Sequence, residues 1–307
     1  MSTSIGIDVS KALLDAHLLP RGESRQFPNE AAGHRALARW ATKAKPDRIV
    51  LEATGGYELA ALDALHAAGL PVSRVNPAQA RHFARALGTR AKTDAVDALA
   101  LARMAAAMPL ADYRPAEDWQ RALRELVQRR GHLVEAIRQE TQRQERMTLP
   151  LVRQQLARHL ATLRQQREAM DRAITEMLAQ RPERAALDSV KGSGPVLQAH
   201  LLALLPELGT LSPKQVASLA GLAPHPRDSG TMRGQRRCAG GRGAIRPLLY
   251  MAAMSAIRYE PAIRDFHQRL VAAGKHGSVA LVACMRKLLV ILNARLRDAM
   301  AERAAMA

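Results

Sequence analysis

Apolar and polar residues alternate through Ser4-Ile5-Gly6-Ile7-Asp8-Val9-Ser10, and an apolar-rich segment, Leu13-Leu14-Asp15-Ala16-His17-Leu18-Leu19, runs into a Pro20-Arg21-Gly22 turn. This pattern predicts a β-hairpin. A helical stretch carrying Leu37 and Trp40 leads to Arg48-Ile49-Val50-Leu51-Glu52, a short apolar run of the kind that forms a buried strand, closed by Thr54-Gly55-Gly56. A helix over about 57–68 and a strand at Pro71-Val72-Ser73-Arg74-Val75 follow. A hairpin succeeded by alternating strands and helices predicts a mixed α/β sheet in residues 1–115. Residues 92–108 turn to Ala and Leu with few breakers, which predicts a helix ending before Pro109.

The period changes at about residue 119. Leu123, Leu126, Leu133 and Ile137 mark one apolar stripe, and Leu156, Leu160, Leu163, Met170, Ile174 and Met177 mark another, interrupted by Arg167. Two long helices separated near Pro150 are predicted to pair as a coiled coil, within the chain or between subunits. Ordinary amphipathic helices packed on their own domain are the alternative. From Leu187 onward short helices and glycine-rich loops resume. The expected organisation is an α/β domain over 1–115, a helical coiled-coil segment over 116–185, and a mainly α domain over 186–307.

Charge narrows the class of partner. The chain of 307 residues has 46 Lys+Arg against 28 Asp+Glu, a net charge of +18, which points to a polyanion. The excess concentrates in the last third, where 17 basic side chains face 7 acidic ones. There Arg227, Arg233, Arg236, Arg237, Arg242 and Arg246 lie close together with only Asp228 opposed, and guanidinium forks match phosphate oxygens. Nine aromatic residues leave little for base-stacking platforms. No run of about 18 apolar residues occurs, and Met1-Ser2-Thr3-Ser4 does not open a secretory signal, so a cytoplasmic protein with no membrane partner is expected. Cys238 and Cys284 are too few for a thiolate zinc site and read as free thiols.

Four carboxylates in the first domain then attract attention. Asp8 interrupts a strand otherwise made of Ile5, Ile7 and Val9, and an unpaired buried charge there is costly. Glu52 ends the next apolar strand. Asp94 and Asp97 stand at i and i+3, on one face of the predicted helix. Two strand carboxylates meeting two helix carboxylates form a hard-oxygen set suited to magnesium, which in pairs assists phosphodiester chemistry. Taken singly, each has a plainer reading, as a helix N-terminal carboxylate or a buried hydrogen-bonded one.

The blocks Gly6-Ile7-Asp8-Val9-Ser10-Lys11, Leu51-Glu52-Ala53-Thr54-Gly55-Gly56-Tyr57, Val75-Asn76-Pro77 and Lys92-Thr93-Asp94-Ala95-Val96-Asp97-Ala98 closely resemble the motifs of the DEDD transposases of bacterial insertion sequences, the family that includes the Piv-type invertases. The resemblance covers nearly the whole chain. It implies an RNase H-like (RuvC-like) N-terminal domain in which Asp8, Glu52, Asp94 and Asp97 hold Mg2+, with Mn2+ as a substitute. It also implies double-stranded DNA at the element ends and target and a noncoding guide RNA encoded by the element as partners; the heptad spacing of the two long helices favours a homo-oligomer, a dimer or tetramer.

Near the C-terminus, Leu219-Ala220-Gly221-Leu222-Ala223-Pro224 leads into Arg227-Asp228-Ser229-Gly230, the arginine cluster and Gly240-Gly241-Arg242-Gly243. Small residues there let a backbone approach a phosphate closely. Ser229 by itself reads as a turn or N-cap serine. The family resemblance implies instead that Ser229 is the nucleophile that links to a DNA phosphate, with Gly230 permitting its tight placement. The family usually carries Gly-Asn before the final basic helix, whereas Gly243 is followed by Ala244, which weakens the assignment of Gly243 and Arg246. Lys191-Gly192-Ser193-Gly194-Pro195 resembles the hairpin of a helix-hairpin-helix element, where Lys191, Gly192 and Gly194 would hold backbone phosphates; a plain interhelical turn is an equal reading. A transposase that cuts and rejoins DNA is therefore expected, against a water-using RNase H-like or junction-resolving nuclease and a non-catalytic nucleic-acid binder.

Overall fold

In the computed structural model the described residues are 2–88, 94–225, 234 and 236–306, without the side chains of Asp94 and Ala95. They fall into two compact units, Met1–Pro115 and Ala116–Ala307.

The first unit is a five-stranded mixed sheet with helices on both faces. Its elements are β1 Ser4–Val9, β2 Leu13–Leu19, β3 Glu23–Pro28, α1 Ala31–Ala44, β4 Arg48–Glu52, α2 Leu59–Ala67, β5 Val72–Val75, α3 Pro77–Ala86 and α4 Asp94–Ala107. The strand order is β3-β2-β1-β4-β5; β1, β2 and β3 pair antiparallel, and β1, β4 and β5 run parallel. The pleat sorts the side chains. Ile5, Ile7, Val9, Leu14, Ala16, Leu18, Ile49 and Leu51 point to one face and pack with Leu37 and Trp40 of α1 and Leu62 and Leu65 of α2. Ser4, Gly6 and Val50 point to the other face, which α4 covers. Two elements escape the hydrophobic pattern. The edge strand β3 exposes Ser24, Arg25 and Gln26 and buries only Phe27 of its central residues, so it lacks the apolar signal of a half-buried strand. Helix α3 is announced by its cap: the Asn76 side chain accepts a hydrogen bond from the Ala78 amide, and Pro77 occupies the first helical position.

Among its described residues the regular structure of the second unit is helical apart from a two-residue β ladder. It contains α5 Asp118–Arg146, α6 Pro150–Ala179, α7 Pro182–Asp188, α8 Pro195–Leu204, α9 Pro213–Leu219, β6 Pro224–His225, β7 Arg237–Cys238, α10 Arg246–Tyr259, α11 Pro261–Ala272 and α12 Gly277–Met306. Helices α5 and α6 form an antiparallel hairpin within the chain, as the cross-links Arg130 to Asp171 at 2.5 Å, Arg129 to Gln166 at 3.4 Å and the Gln144 amide to the Arg153 carbonyl at 3.3 Å require. Leu133, Leu160 and Leu163 are buried along it. At its base Leu123, Val127, Ile174 and Leu178 join Leu197, Leu201, Leu249, Cys284 and Leu288 in one core. Residues of the segment 116–185 and of 186–307 thus share one core. Among the described residues no helix is long and apolar enough to cross a membrane.

Candidate nucleic-acid processing site

The carboxylates of the first unit are placed by strand register. In the parallel pair β1–β4 the register runs to Ile7 opposite Leu51, so Asp8 and Glu52 are the next residues on the two neighbouring strands. Both follow the pleat onto the face that carries Gly6 and Val50, the face under α4. Helix α4 runs antiparallel to β1. The Ser4 hydroxyl donates to the Ala102 carbonyl at 2.9 Å, and a Cβ on Gly6 would lie 2.1 Å from the Ala98 carbonyl oxygen. Two strand residues climb about as far as one helical turn, so one more step along β1 brings Asp8 level with the turn that bears Asp94 and Asp97. Asp97 precedes Ala98 by one residue and is partly buried; Asp94 opens the helix.

By residue type Asp8, Glu52, Asp94 and Asp97 offer only oxygen donors, with no thiol or imidazole among the four, which is the chemistry a hard divalent cation takes. Among the described residues, a set that omits the Asp94 side chain, no three His, Cys, Asp or Glu side chains converge closely enough to hold an ion.

The loops beside Asp8 and Glu52 are held by residues that motif reading passed over. Glu58 is fully buried, and its Oε2 accepts hydrogen bonds from the Thr54 and Gly56 amides, both at 2.9 Å. The Arg74 guanidinium from β5 stands 2.5 Å from its Oε1. The loop needs that clamp because Gly55 and Gly56 have φ of 61° and 103°, a region that glycine enters without a Cβ penalty. A second knot joins the loop to the β1–β2 turn. The Asn29 amide donates to the Ser10 carbonyl at 2.8 Å and to the Tyr57 carbonyl at 3.1 Å, which leaves its Oδ1 to accept from His34 Nε2 at 2.7 Å. Burial lowers the His34 pKa against a smaller opposing pull from Glu30, which favours the neutral ring. A glutamate six positions past Glu52, across a glycine turn, was the one sequence signal for this clamp.

In the second unit the predicted residues divide. Ser229, Gly230, Arg227 and Arg233 lie outside the described residues. Arg236 and Arg237 are exposed. Arg242 is not a free phosphate ligand: its Nη1 and Nη2 each donate to Glu207 at 2.7 Å, and Nη1 also donates to the Leu204 carbonyl at 2.6 Å. Burial pushes the Glu207 carboxyl up, but the Arg242 hydrogen bonds and charge outweigh it and hold the pKa below its usual value. Arg124 donates to the Ala203 carbonyl, so two arginines cap the C-terminal end of α8. The glycines around them serve close backbone packing. A Cβ on Gly241 would lie 2.3 Å from the Gly221 nitrogen, and one on Gly221 would lie 2.2 Å from the Gly240 carbonyl oxygen. The Arg242 amide donates to the Leu219 carbonyl at 2.7 Å across the same contact. Arg246 lies over this crossing, its Nη2 2.8 Å from where a Gly243 Cβ would stand.

The turn between α7 and α8 is likewise built into the unit. Gly192 has φ of 93°, and a Cβ there would meet the Ala252 carbonyl at 2.9 Å, so the turn sits against α10. The Lys191 amide donates to Glu260 at 3.1 Å, while Gly194 is exposed just ahead of Pro195.

Comparison with known proteins finds matches in both halves of the chain. A family model described as Transposase (DEDD, IS110 type) matches residues 5–152, and one described as Transposase IS116/IS110/IS902 family matches residues 184–268. The chain is 31% identical to the pilin gene-inverting protein of Moraxella lacunata over 315 residues, covering 96% of each chain. It is 33% identical to an uncharacterized 43.6 kDa protein of insertion element IS110 from Streptomyces coelicolor over 49% of this chain and 38% of that one. With relatives matched end to end and both family models aligned in order, the chain belongs to the IS110 family of transposases, DNA recombination enzymes.

Proposed function

We propose that this chain is the recombinase of an insertion sequence and that it works by combining the DEDD carboxylates with a serine nucleophile. The observation that supports the carboxylate half is the register of β1 and β4, in which Asp8 and Glu52 follow the paired Ile7 and Leu51 on the face crossed by α4, the helix whose first turn has Asp94 and Asp97. In this reading the first unit is RNase H-like, and Asp8, Glu52, Asp94 and Asp97 would hold Mg2+ or Mn2+, which supplies charge neutralisation at the scissile phosphate. Glu58 and Asn29 keep in place the loops that follow Asp8 and Glu52.

Ser229 supplies the nucleophile. Its Oγ bonds to phosphorus as the bond from phosphorus to the leaving DNA oxygen breaks; the serine proton passes to a base, and the leaving oxygen takes up a proton to become a free hydroxyl. The phosphoserine diester keeps the bond energy for rejoining, so strand transfer needs no nucleotide hydrolysis. Arg227, Arg233, Arg236, Arg237 and Arg246 would neutralise DNA phosphates beside it. An element-encoded noncoding RNA would select target and donor DNA by pairing, and an oligomer would bring the ends together.

The test is direct. Purified protein with RNA from its source element is incubated with end-labelled element-end DNA and Mg2+, and a protease-sensitive covalent complex is sought. The expected result is an adduct absent in Ser229→Ala and in Asp8→Asn. Cut ends with no adduct would replace this mechanism by a water-using nuclease; full recombination by both variants would exclude it.

A further inference from the structure

The α5–α6 hairpin has two halves of opposite electrostatic character. Near its base, residues 116–140 and 168–185 hold 8 basic and 9 acidic side chains, knit by pairs such as Arg130 to Asp171 at 2.5 Å and Arg138 to Glu135 at 2.6 Å. Its outer part, residues 141–167, holds six arginines against Glu145 alone. Arg143, Arg146, Arg153, Arg158 and Arg164 are exposed there, and among the described residues Arg146, Arg153, Arg158 and Arg164 make no ion pair. From the Arg130–Asp171 bridge to the turn at Thr148 the arm is about 27 Å long at the rise of an α-helix.

We propose that this outer arm is a second nucleic-acid contact, which grips the phosphate backbone of a duplex without reading sequence. Three observations select that partner. Like charges gathered on one arm repel one another, while the lower half of the same two helices is balanced, so the excess is local and is offset only when a polyanion lies against it. Every cation in 116–185 except its histidines is arginine, the side chain whose planar fork matches phosphate oxygens. No Phe, Tyr or Trp occurs between Trp119 and Tyr250, so the arm offers no surface for stacking unpaired bases. Arg153 and Arg164 are eleven residues apart, three helical turns, and share one flank of α6 at a separation of about 16 Å, close to five nucleotide steps along a duplex strand. Gln154 and Gln155 add neutral donors between them. The contact concerns binding alone and is independent of the serine chemistry.

The experiment compares full-length protein with an Arg153→Gln/Arg158→Gln/Arg164→Gln variant, binding random-sequence duplex DNA and duplex RNA over a salt series. Loss of three phosphate contacts lowers the slope of log K against log salt by up to about 2.7 on DNA, at about 0.9 for each contact. Affinity should fall at least tenfold at low salt and by the same factor on element-end DNA, with circular dichroism unchanged. An Arg→Lys triple variant, which keeps the charge, should retain most of the slope. A loss confined to duplex RNA would keep the surface and assign RNA as its source. An unchanged slope on both duplexes in a folded variant overturns the proposal. So does a change of oligomeric mass at constant slope, which would give the arm, with its exposed Met147, Leu149 and Leu151, to a second copy of the chain.

Discussion

Glu58 is a carboxylate without solvent, and its three partners define what it does. Two amides of the Thr54–Gly56 turn and one guanidinium converge on it, so its removal leaves buried donors unsatisfied and frees the loop that follows Glu52. Glu58→Ala should cost about 1–3 kcal/mol, measured as a lower urea midpoint. Glu58→Gln keeps a carbonyl acceptor but loses the charge facing Arg74; it should recover much of that stability, yet cleave more slowly and need more Mg2+ for half-maximal rate if the loop positions Glu52. Unchanged Mg2+ dependence would make Glu58 a stabilising residue only. Arg242 carries the complementary lesson. In the chain it is one more arginine of a basic cluster, and in the fold it is spent on Glu207 and the end of α8. A partner 35 positions away in sequence leaves no mark on the local pattern, whereas the charge run that suggested phosphate binding does.

At the scale of elements, the crossing of β1 by α4 positions the proposed site. Both elements are legible as local periodicities: alternation for β1 and an Ala/Leu helix for α4. Their contact is not, because it depends on one missing side chain. A methyl group on Gly6 would sit 2.1 Å from the Ala98 carbonyl oxygen and 2.2 Å from the Ala102 nitrogen, distances that only a shift of the helix can relieve. Gly6→Ala should therefore lower stability by about 1–3 kcal/mol and reduce DNA cleavage more than stability alone explains, since α4 carries Asp94 and Asp97 away from Asp8 and Glu52. Urea unfolding together with cleavage under conditions where the variant is fully folded checks both parts. The same reasoning applies to the Gly221–Gly241 crossing, where glycines that suggested a phosphate cradle prove to let two backbones touch.

At the scale of the whole molecule, each unit buries a histidine. Burial lowers the pKa of His34 in the first unit and of His200 in the second, where the Val196 carbonyl pulls the other way and Arg130 adds to the lowering. Both folded-state values lie below the ordinary 6.5. Unfolding therefore takes up protons in acid: stability is full above about pH 6.5 and declines below it until the folded rings titrate. The urea midpoint should be lower at about pH 5.5 than at about pH 7.5, and His34→Gln should reduce the difference. By itself the sequence determined the family, the mixed α/β first unit, the helical remainder and the two long helices, because periodicity and motif spacing are local properties of a chain. Tertiary structure alone decided that the long helices close on each other and share a core with residues 186–307, and that Glu58 is buried under the Glu52 loop. It also decided that Arg242 is paired with Glu207 while Arg146, Arg153, Arg158 and Arg164 make no ion pair among the described residues. Those outcomes turn on which distant groups arrive at one place, and pairing over tens of residues is set by packing, not by local pattern.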